Sequence, residues 1–557
     1  MKNRRSPLSL GYSFWCTLLL VLFVCIGLTG MGCGAADTSV AAHEGGRFAG
    51  PNGKSSDWGR NSGGGGGQGA ASDAGTTGNQ NTGAPNKSWG SNVGTGGAQD
   101  IGQFRKILKE GGIPHPNVLD ANGFFSEHHT KLPAPNCGKL FCLHGMLARN
   151  RSYFDGRKFT VLQLGLNSAK DISKLPRLPL NLVVVIDVSG SMGSQNKLNY
   201  VKDGLTLLVD ELKEKDLLTI ITYSSRAKVL RAPAVVKDKN AVKLLIHNLR
   251  ASGGTNFYDG LEYGFKEVLK NFSGKVQNRV IMLSDGQPSA GKTGLKDIVA
   301  MSDSYVKRGV GLTTIGVGRS FNVQLMRRLA ESGSGNYYFL DSREAIREVF
   351  QDEMSYFVVP IAYDLRISVK VGDKFKFAET LGTTLWQSTK EGGNLFIPSV
   401  FLTGRTSHKD PKAGSGKGRR GGGSAIMVRL DELKKLMEGQ KTKVAELKIQ
   451  YRPAEGEKDE TQTLTVDYTM QNQHALNGFF SHKAIEKNYT MLNLFLGFRA
   501  ACQKAVLNKD MDDALKLLLQ LEKEVKAWNK VYNDEDIKAD LELVGLFIKN
   551  LKTKGAK

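Results

Sequence analysis

The chain has 557 residues, 40% hydrophobic and 23% charged, which is longer than one core normally holds and ordinary in composition, so a fibrous or wholly disordered chain is excluded and two or three domains with linkers are expected. Lys and Arg number 76 against 54 Asp and Glu, a formal net charge of +22, but the two signs are interleaved along the chain. That pattern steers weakly toward acidic partners, and no nucleic-acid partner is expected.

The first residues read as an address. Lys2, Arg4 and Arg5 precede an apolar stretch over residues 14–32, the layout of an export signal. The stretch ends in LTGMGC, which resembles the lipobox of bacterial lipoproteins, although Gly30 stands where that motif carries leucine. The resemblance implies cleavage after residues 1–32 and lipid modification of Cys33. An uncleaved membrane anchor is the alternative, since about 19 apolar residues just suffice to span a bilayer. Either way the remainder is expected outside the cytoplasm, in a cell envelope, tethered to a membrane through its N-terminus. Residues 34–100 are rich in Gly, Ser, Asn and Ala, with a run of glycines at 63–67, and predict a disordered tether with no core of its own.

Residues 101–178 mix helix-like and turn-rich pieces with a strand-like FTVLQLGL at 159–166. Cys137 and Cys142 are close enough to bridge, and an oxidising compartment favours a small disulfide loop. A metal site using His128, His129 or His144 is the other reading. From residue 179 to 358 buried-strand runs such as LVVVID (182–187), LLTIITY (217–223) and RVIMLS (279–284) alternate with amphipathic helices. In one of these, Leu198, Val201, Leu205, Leu208 and Leu212 share a helical face. Apolar strands without alternation, separated by helices, indicate an α/β doubly wound domain on a parallel sheet.

Over residues 359–475 the period switches to two, as in Leu365, Ile367, Val369 and Val371, so an antiparallel β-sandwich is expected. FTVLQLGL is a lone strand on the far side of the α/β domain, so it is expected to join that sandwich, with the α/β domain inserted between the flanks. A basic, glycine-rich run at 404–424 reads as a flexible loop, with an anion site as the alternative. Residues 476–557 are helical, with Cys502 as a buried thiol.

Ligands of open parallel sheets bind beyond the carboxyl ends of the strands, and the unusual polar residues fall there. The first strand ends in DVSGSM, giving Asp187, Ser189 and Ser191 at alternate positions; the loop SGGTNFYDG places Thr255 before a helix; a third strand ends at Asp285. Two carboxylates and three hydroxyls suit a hard cation, magnesium first and manganese or calcium next. Imidazole and thiolate are absent from the set, against zinc.

Here the sequence resembles the von Willebrand factor A domain, over residues 179–358, with every position of the metal-ion-dependent adhesion site matched. The phrases RLPLNLVVVIDVSGSM and SGSGNYYFLDSREAI are similar to bacterial A-domain proteins labelled as related to calcium-activated chloride channel regulators; that label implies no channel activity. The resemblance implies that Ser189, Ser191 and Thr255 coordinate the ion through hydroxyls, that Asp187 and Asp285 act directly or through water, and that a partner's Asp or Glu completes the shell. Metal-dependent adhesion, without catalysis, is the expected function. Two other readings compete. GQPSAGKT at 286–293 fits the phosphate-loop pattern of nucleotide-binding proteins, and a structural envelope scaffold would need no metal.

Overall fold

The computed structural model describes residues 91–556 except 95, 171–177, 319–321, 341, 348, 351–359, 403–424, 455–457, 472 and 475–477. The expected export signal with Cys33, the expected tether up to residue 90 and the basic run at 404–424 lie outside the described residues. Among the described residues no helix is long and apolar enough to cross a membrane.

The first strands lie where the sequence suggested a tether: β1 (Ser91–Gly94) and β2 (Gly97–Ala98). Small residues hide them, because the pairing uses backbone groups alone, and their partners lie far along the chain. Two short helices follow, α1 (Gly102–Lys109) and α2 (Ala121–Ser126), then the hairpin β3 (Cys142–Arg151) and β4 (Lys158–Ser168). The α/β domain comprises β5 (Leu180–Asp187), α3 (Lys197–Glu211), β6 (Leu217–Tyr223), β7 (Ala227–Val235), α4 (Lys239–His247), α5 (Phe257–Lys270), β8 (Gln277–Ser284), α6 (Leu295–Val306), β9 (Gly311–Val317), α7 (Val323–Ser332), β10 (Asn336–Leu340) and α8 (Arg343–Arg347). Beyond it run β11 (Pro360–Val371), β12 (Phe375–Leu381), β13 (Gln387–Thr389), β14 (Gly392–Leu402), β15 (Ile426–Glu432), β16 (Lys441–Pro453), β17 (Glu460–Thr469) and β18 (Phe479–Phe480). Three helices close the chain: α9 (Lys483–Cys502), α10 (Met511–Tyr532) and α11 (Glu535–Thr553).

The α/β sheet has the order β2-β10-β9-β8-β5-β6-β7. Its centre is parallel and its strands are buried on both faces, β5 at every residue. The sheet is mixed rather than all parallel, because β7 runs antiparallel to β6 at the edge. β7 carries Pro233 and is only half covered, as an edge strand tolerates. Helices cover both faces, with Leu205 and Leu208 of α3 on one side and Leu261 and Phe265 of α5 on the other.

The remaining strands form an antiparallel sandwich. One layer is β12-β15-β4-β3-β18 and the other β13-β14-β11-β16-β17, and β1 crosses between them, its first half on β4 and its second on β14. Leu162, Leu164 and Val428 meet Leu365, Ile367 and Leu447 in the shared core. β4 is the hub: it precedes the α/β domain, yet pairs with β15 beyond it, so the α/β domain is an insertion. The other face of β4, with Phe159 and Val161, packs on Tyr489 of α9, and so every residue of β4 after Lys158 is buried. α1 and α2 complete this helical layer: Phe104 meets Phe498 and Phe547, and Phe124 meets Phe495.

Cys137 and Cys142 form a disulfide. The histidines of the alternative metal reading do not converge on it. His128 pairs with Asp540 at 2.6 Å and with the Phe124 carbonyl, while His144 bonds Asn167. Cys502 is buried, and burial pushes its thiol up to about 12. The inserted domain is tied to its surroundings at the end opposite the strand tips that carry Asp187 and Asp285. Glu331 of α7 accepts from the Thr383 hydroxyl at 2.6 Å and the Thr384 amide at 2.8 Å; Arg327 donates to the Val118 carbonyl at 2.9 Å; and the Arg279 guanidinium lies 5.5 Å from the Phe401 ring centre.

Candidate metal centre

The chain leaves β5 for β6 on one side and later returns to β8 on the other, which makes the tips of β5, β6 and β8 a switch point where a crevice opens. Asp187 is the last residue of β5 and fully buried. Its Oδ1 accepts from the Ser189 amide at 2.8 Å, and its Oδ2 accepts from the Ser284 hydroxyl at 2.8 Å and the Tyr223 hydroxyl at 3.1 Å. Burial pushes the Asp187 carboxyl above its ordinary value, and the nearby Asp285 charge adds to this against the hydrogen bonds from Ser189 and Ser284. Burial also lifts the Tyr223 phenol well above 10, with the Asp187 charge adding to it.

A short turn over Gly190–Gly193 follows. It brings the Ser189 and Ser191 hydroxyls within 3.1 Å of each other and lets Ser191 donate to Oδ1 of the buried Asp285 at 2.8 Å. The loop before α5 is stitched to this turn by backbone bonds, Gly190 N to Gly253 O at 2.9 Å and Ser252 N to Val188 O at 2.7 Å. Gly253 has φ +83°, and a Cβ there would meet the Ser224 hydroxyl at 3.1 Å, so glycine suits the position on both counts. Thr255 follows Gly254 and is buried, and its side chain lies against Gly286, the neighbour of Asp285, with hydroxyl and methyl both 3.4 Å from where a Cβ would stand. All five residues singled out from the sequence thus gather at one sheet edge.

The structure adds residues that sequence reasoning missed. Tyr223 and Ser284 end their strands and hold Asp187; their position at the same carboxyl edge was the only signal. Lys197, the first residue of α3, is buried and donates to Asp285 Oδ2 at 2.7 Å. The phosphate-loop reading of residues 286–293 fares differently. The Ser289 and Ala290 amides donate to the Thr255 carbonyl, and Lys292 Nζ sits 4.8 Å from the Tyr258 ring centre. Amides turned inward on Thr255 do not make the amide nest that a phosphate needs.

Among the described residues no group of three or more His, Cys, Asp and Glu side chains converges, so a site here rests on two carboxylates and three hydroxyls. That donor set fits a hard divalent cation: two anionic groups to balance its charge and neutral oxygens to fill its shell. The ammonium of Lys197 on Asp285 shows that the pocket accepts a cationic group.

The family model of the von Willebrand factor type A domain matches residues 181–352. The chain carries a von Willebrand factor type A domain. Over 204 residues it is 34% identical to YfbK of Escherichia coli (strain K12), covering 36% of this chain and 35% of that protein. Over 181 residues it is 33% identical to sll0103 of Synechocystis, covering 31% of this chain and 42% of that protein. The matches therefore span less than half of these relatives. A solved von Willebrand factor type A protein from Catenulispora acidiphila is 13% identical, with TM-score 0.46, over 69% of this chain and 87% of that one. A domains typically mediate protein–protein interaction.

Proposed function

We propose that this chain is a membrane-tethered protein of a bacterial cell envelope whose A domain grips an acidic residue of a protein partner through a divalent ion, magnesium first, with manganese or calcium as substitutes. The observation that supports it is the gathering of Asp187, Ser189, Ser191, Thr255 and Asp285 from three separate loops, joined by the Ser189–Ser191 and Ser191–Asp285 contacts. In this reading Ser189, Ser191 and Thr255 hold the ion through hydroxyls, while Asp187 and Asp285 balance its charge. The ion supplies an electrophilic seat for a carboxylate, since the hydroxyls add no negative charge. Tyr223 and Ser284 hold the Asp187 carboxylate in place, and the Gly190–Gly253 bond fixes the turn beside the Thr255 loop. Binding, not catalysis, is the proposed activity. The address rests on residues 1–33, with Cys33 as the lipidated residue.

Calorimetry with magnesium or manganese on the full chain tests the site. Binding of one ion, abolished in Asp187→Ala, is the expected result, and equal affinity in both would sink the assignment. Partner capture should vanish with chelator and return with magnesium. Labelled fatty acid should appear on the chain and be lost in Cys33→Ser.

One observation favours a second reading, a structural envelope scaffold without metal. Lys197 already neutralises Asp285, so part of the site's charge is balanced without an ion. Partner capture insensitive to chelator would favour it.

A further inference from the structure

Lys197 stands where helix physics disfavours it. It is the first residue of α3, a helix with no acidic residue in its first turn and no side-chain cap. A cation there opposes the positive end of the helix dipole. The two residues before it, Gln195 and Asn196, are both left-handed, at φ 54° and 58°, a conformation that costs energy for residues other than glycine. Gly318, at φ +80°, lies so close to the lysine stem that a Cβ there would stand 2.7 Å from Lys197 Cε. Backbone, helix start and neighbouring strand end are therefore all shaped to admit this side chain, and its ammonium goes to one place. It donates to Asp285 Oδ2 at 2.7 Å, with the Ser191 carbonyl at 3.4 Å.

Asp285 is thus divided between two donors. Its Oδ1 faces the Ser191 hydroxyl, a candidate ligand, while its Oδ2 is held by Lys197. Asp187, by contrast, is held by neutral groups only among the described residues: an amide and two hydroxyls. Two carboxylates and one ammonium leave one net negative charge. A divalent ion added to that set makes the centre positive by one unit, whereas without the lysine it would be neutral.

We propose, on the basis of the metal reading above, that Lys197 is a positioning residue that couples metal binding to capture of an acid: it holds Asp285 and leaves the loaded centre one positive charge in surplus. Metal then binds weakly until a carboxylate arrives, and a carboxylate binds only where metal is present. Such linkage is reciprocal by necessity. It gives an adhesive site that stays largely empty until the right group is offered.

Manganese affinity of the full chain, measured by calorimetry with and without acetate, tests this against Lys197→Met and Lys197→Gln. The expected result is manganese binding at least tenfold tighter in the neutral variants. Acetate should raise manganese affinity several-fold in the natural chain and little in the variants. Affinity unchanged or weaker in a folded variant, or an undiminished acetate effect, overturns the proposal. Thermal melting in chelator serves as the folding check. Variants whose transition collapses and is not restored by manganese would make Lys197 a structural counter-ion only, which also overturns it. If Asp187→Ala abolishes binding while the Lys197 variants match the natural chain, the metal reading stands and this inference alone fails. If Asp187→Ala binds manganese as well as the natural chain does, both fail.

Discussion

The two sheets of this protein bury themselves in opposite ways. The A-domain sheet takes six of its seven strands from one continuous stretch, β5 to β10, and helices from that same stretch cover both its faces. The sandwich is assembled from pieces on either side of that stretch, and its hub strand β4 finds its partner β15 only after the A domain has intervened. One sheet carries its cover with it; the other depends on chain far away. The candidate metal centre sits on the self-contained sheet, at the strand ends away from the Glu331 and Arg279 ties, so the domain is held at the end opposite the proposed site.

The largest test of that contrast is deletion. Removing residues 91–170 takes away β1, β3 and β4, exposing β15 and one face of the sandwich core, and an uncovered edge invites aggregation. The remainder should be insoluble or expanded on size exclusion, whereas residues 179–358 alone should unfold cooperatively by circular dichroism. Residues 361–557 expressed as a stable monomer would show that the sandwich does not need its upstream strands.

Next in size is a core truncation. Leu261 of α5 is fully buried against the A-domain sheet, and Leu261→Ala should cost about 2–5 kcal/mol. In urea unfolding of the full chain followed by two probes, the A-domain transition should move and the sandwich transition should hold. Equal movement of both would mean that the domains unfold as one.

A smaller effect is expected from the tie between domains. Glu331 is buried, and burial raises its carboxyl above the ordinary value while the Thr383 and Thr384 hydrogen bonds pull it down. Glu331→Ala leaves the Thr384 amide and both hydroxyls without this acceptor, at a cost of about 1–3 kcal/mol. The two transitions should separate further in this variant; no change in their spacing would mean that the tie transmits nothing.

The same contrast explains what was legible in the sequence. Strands buried on both faces read as apolar runs, so β5, β6, β8 and their helices were plain; of the five oxygen-bearing residues, Asp187, Ser189, Ser191 and Asp285 stand at the ends of such runs and Thr255 in the loop before α5, and the resemblance to the A domain joined them into one set. Of what depends on distant chain, the apolar run that became β4 was legible as a strand needing partners beyond the A domain, while strands without such a run were not. β2 is glycine and alanine, and only its parallel pairing with β10 makes it a strand. β7 is half exposed and carries a proline, so it has neither a buried run nor a clean alternation. β3 faces the hairpin partner β4 on one edge and β18 on the other, which no local period announces. Lys197 read as one more basic residue in a chain with 76 Lys and Arg. Only the fold reveals that it points inward at a carboxylate 88 residues away.

The smallest effect expected is one of pH, and it should be confined to the sandwich. His144 lies on β3, bonded to Asn167 of β4 at 2.7 Å. Burial lowers its imidazole below the ordinary 6.5, outweighing the Asn167 hydrogen bond, and the His482 charge acts in the same direction. The folded state therefore prefers the neutral ring, and the unfolded chain takes up the proton first as pH falls. Stability from this group is complete above 6.5 and declines as pH drops from 6.5 through the depressed folded value. Urea midpoints at pH 7.5 and pH 5.0 should differ more in the natural chain than in His144→Gln, in the sandwich transition and not in that of the A domain. Equal pH dependence in the two proteins would show that the buried imidazole is no part of the sandwich's acid sensitivity. A difference confined to the sandwich would show that the inserted domain is insulated from strain in the frame that holds it, as a sheet that carries its own cover should be.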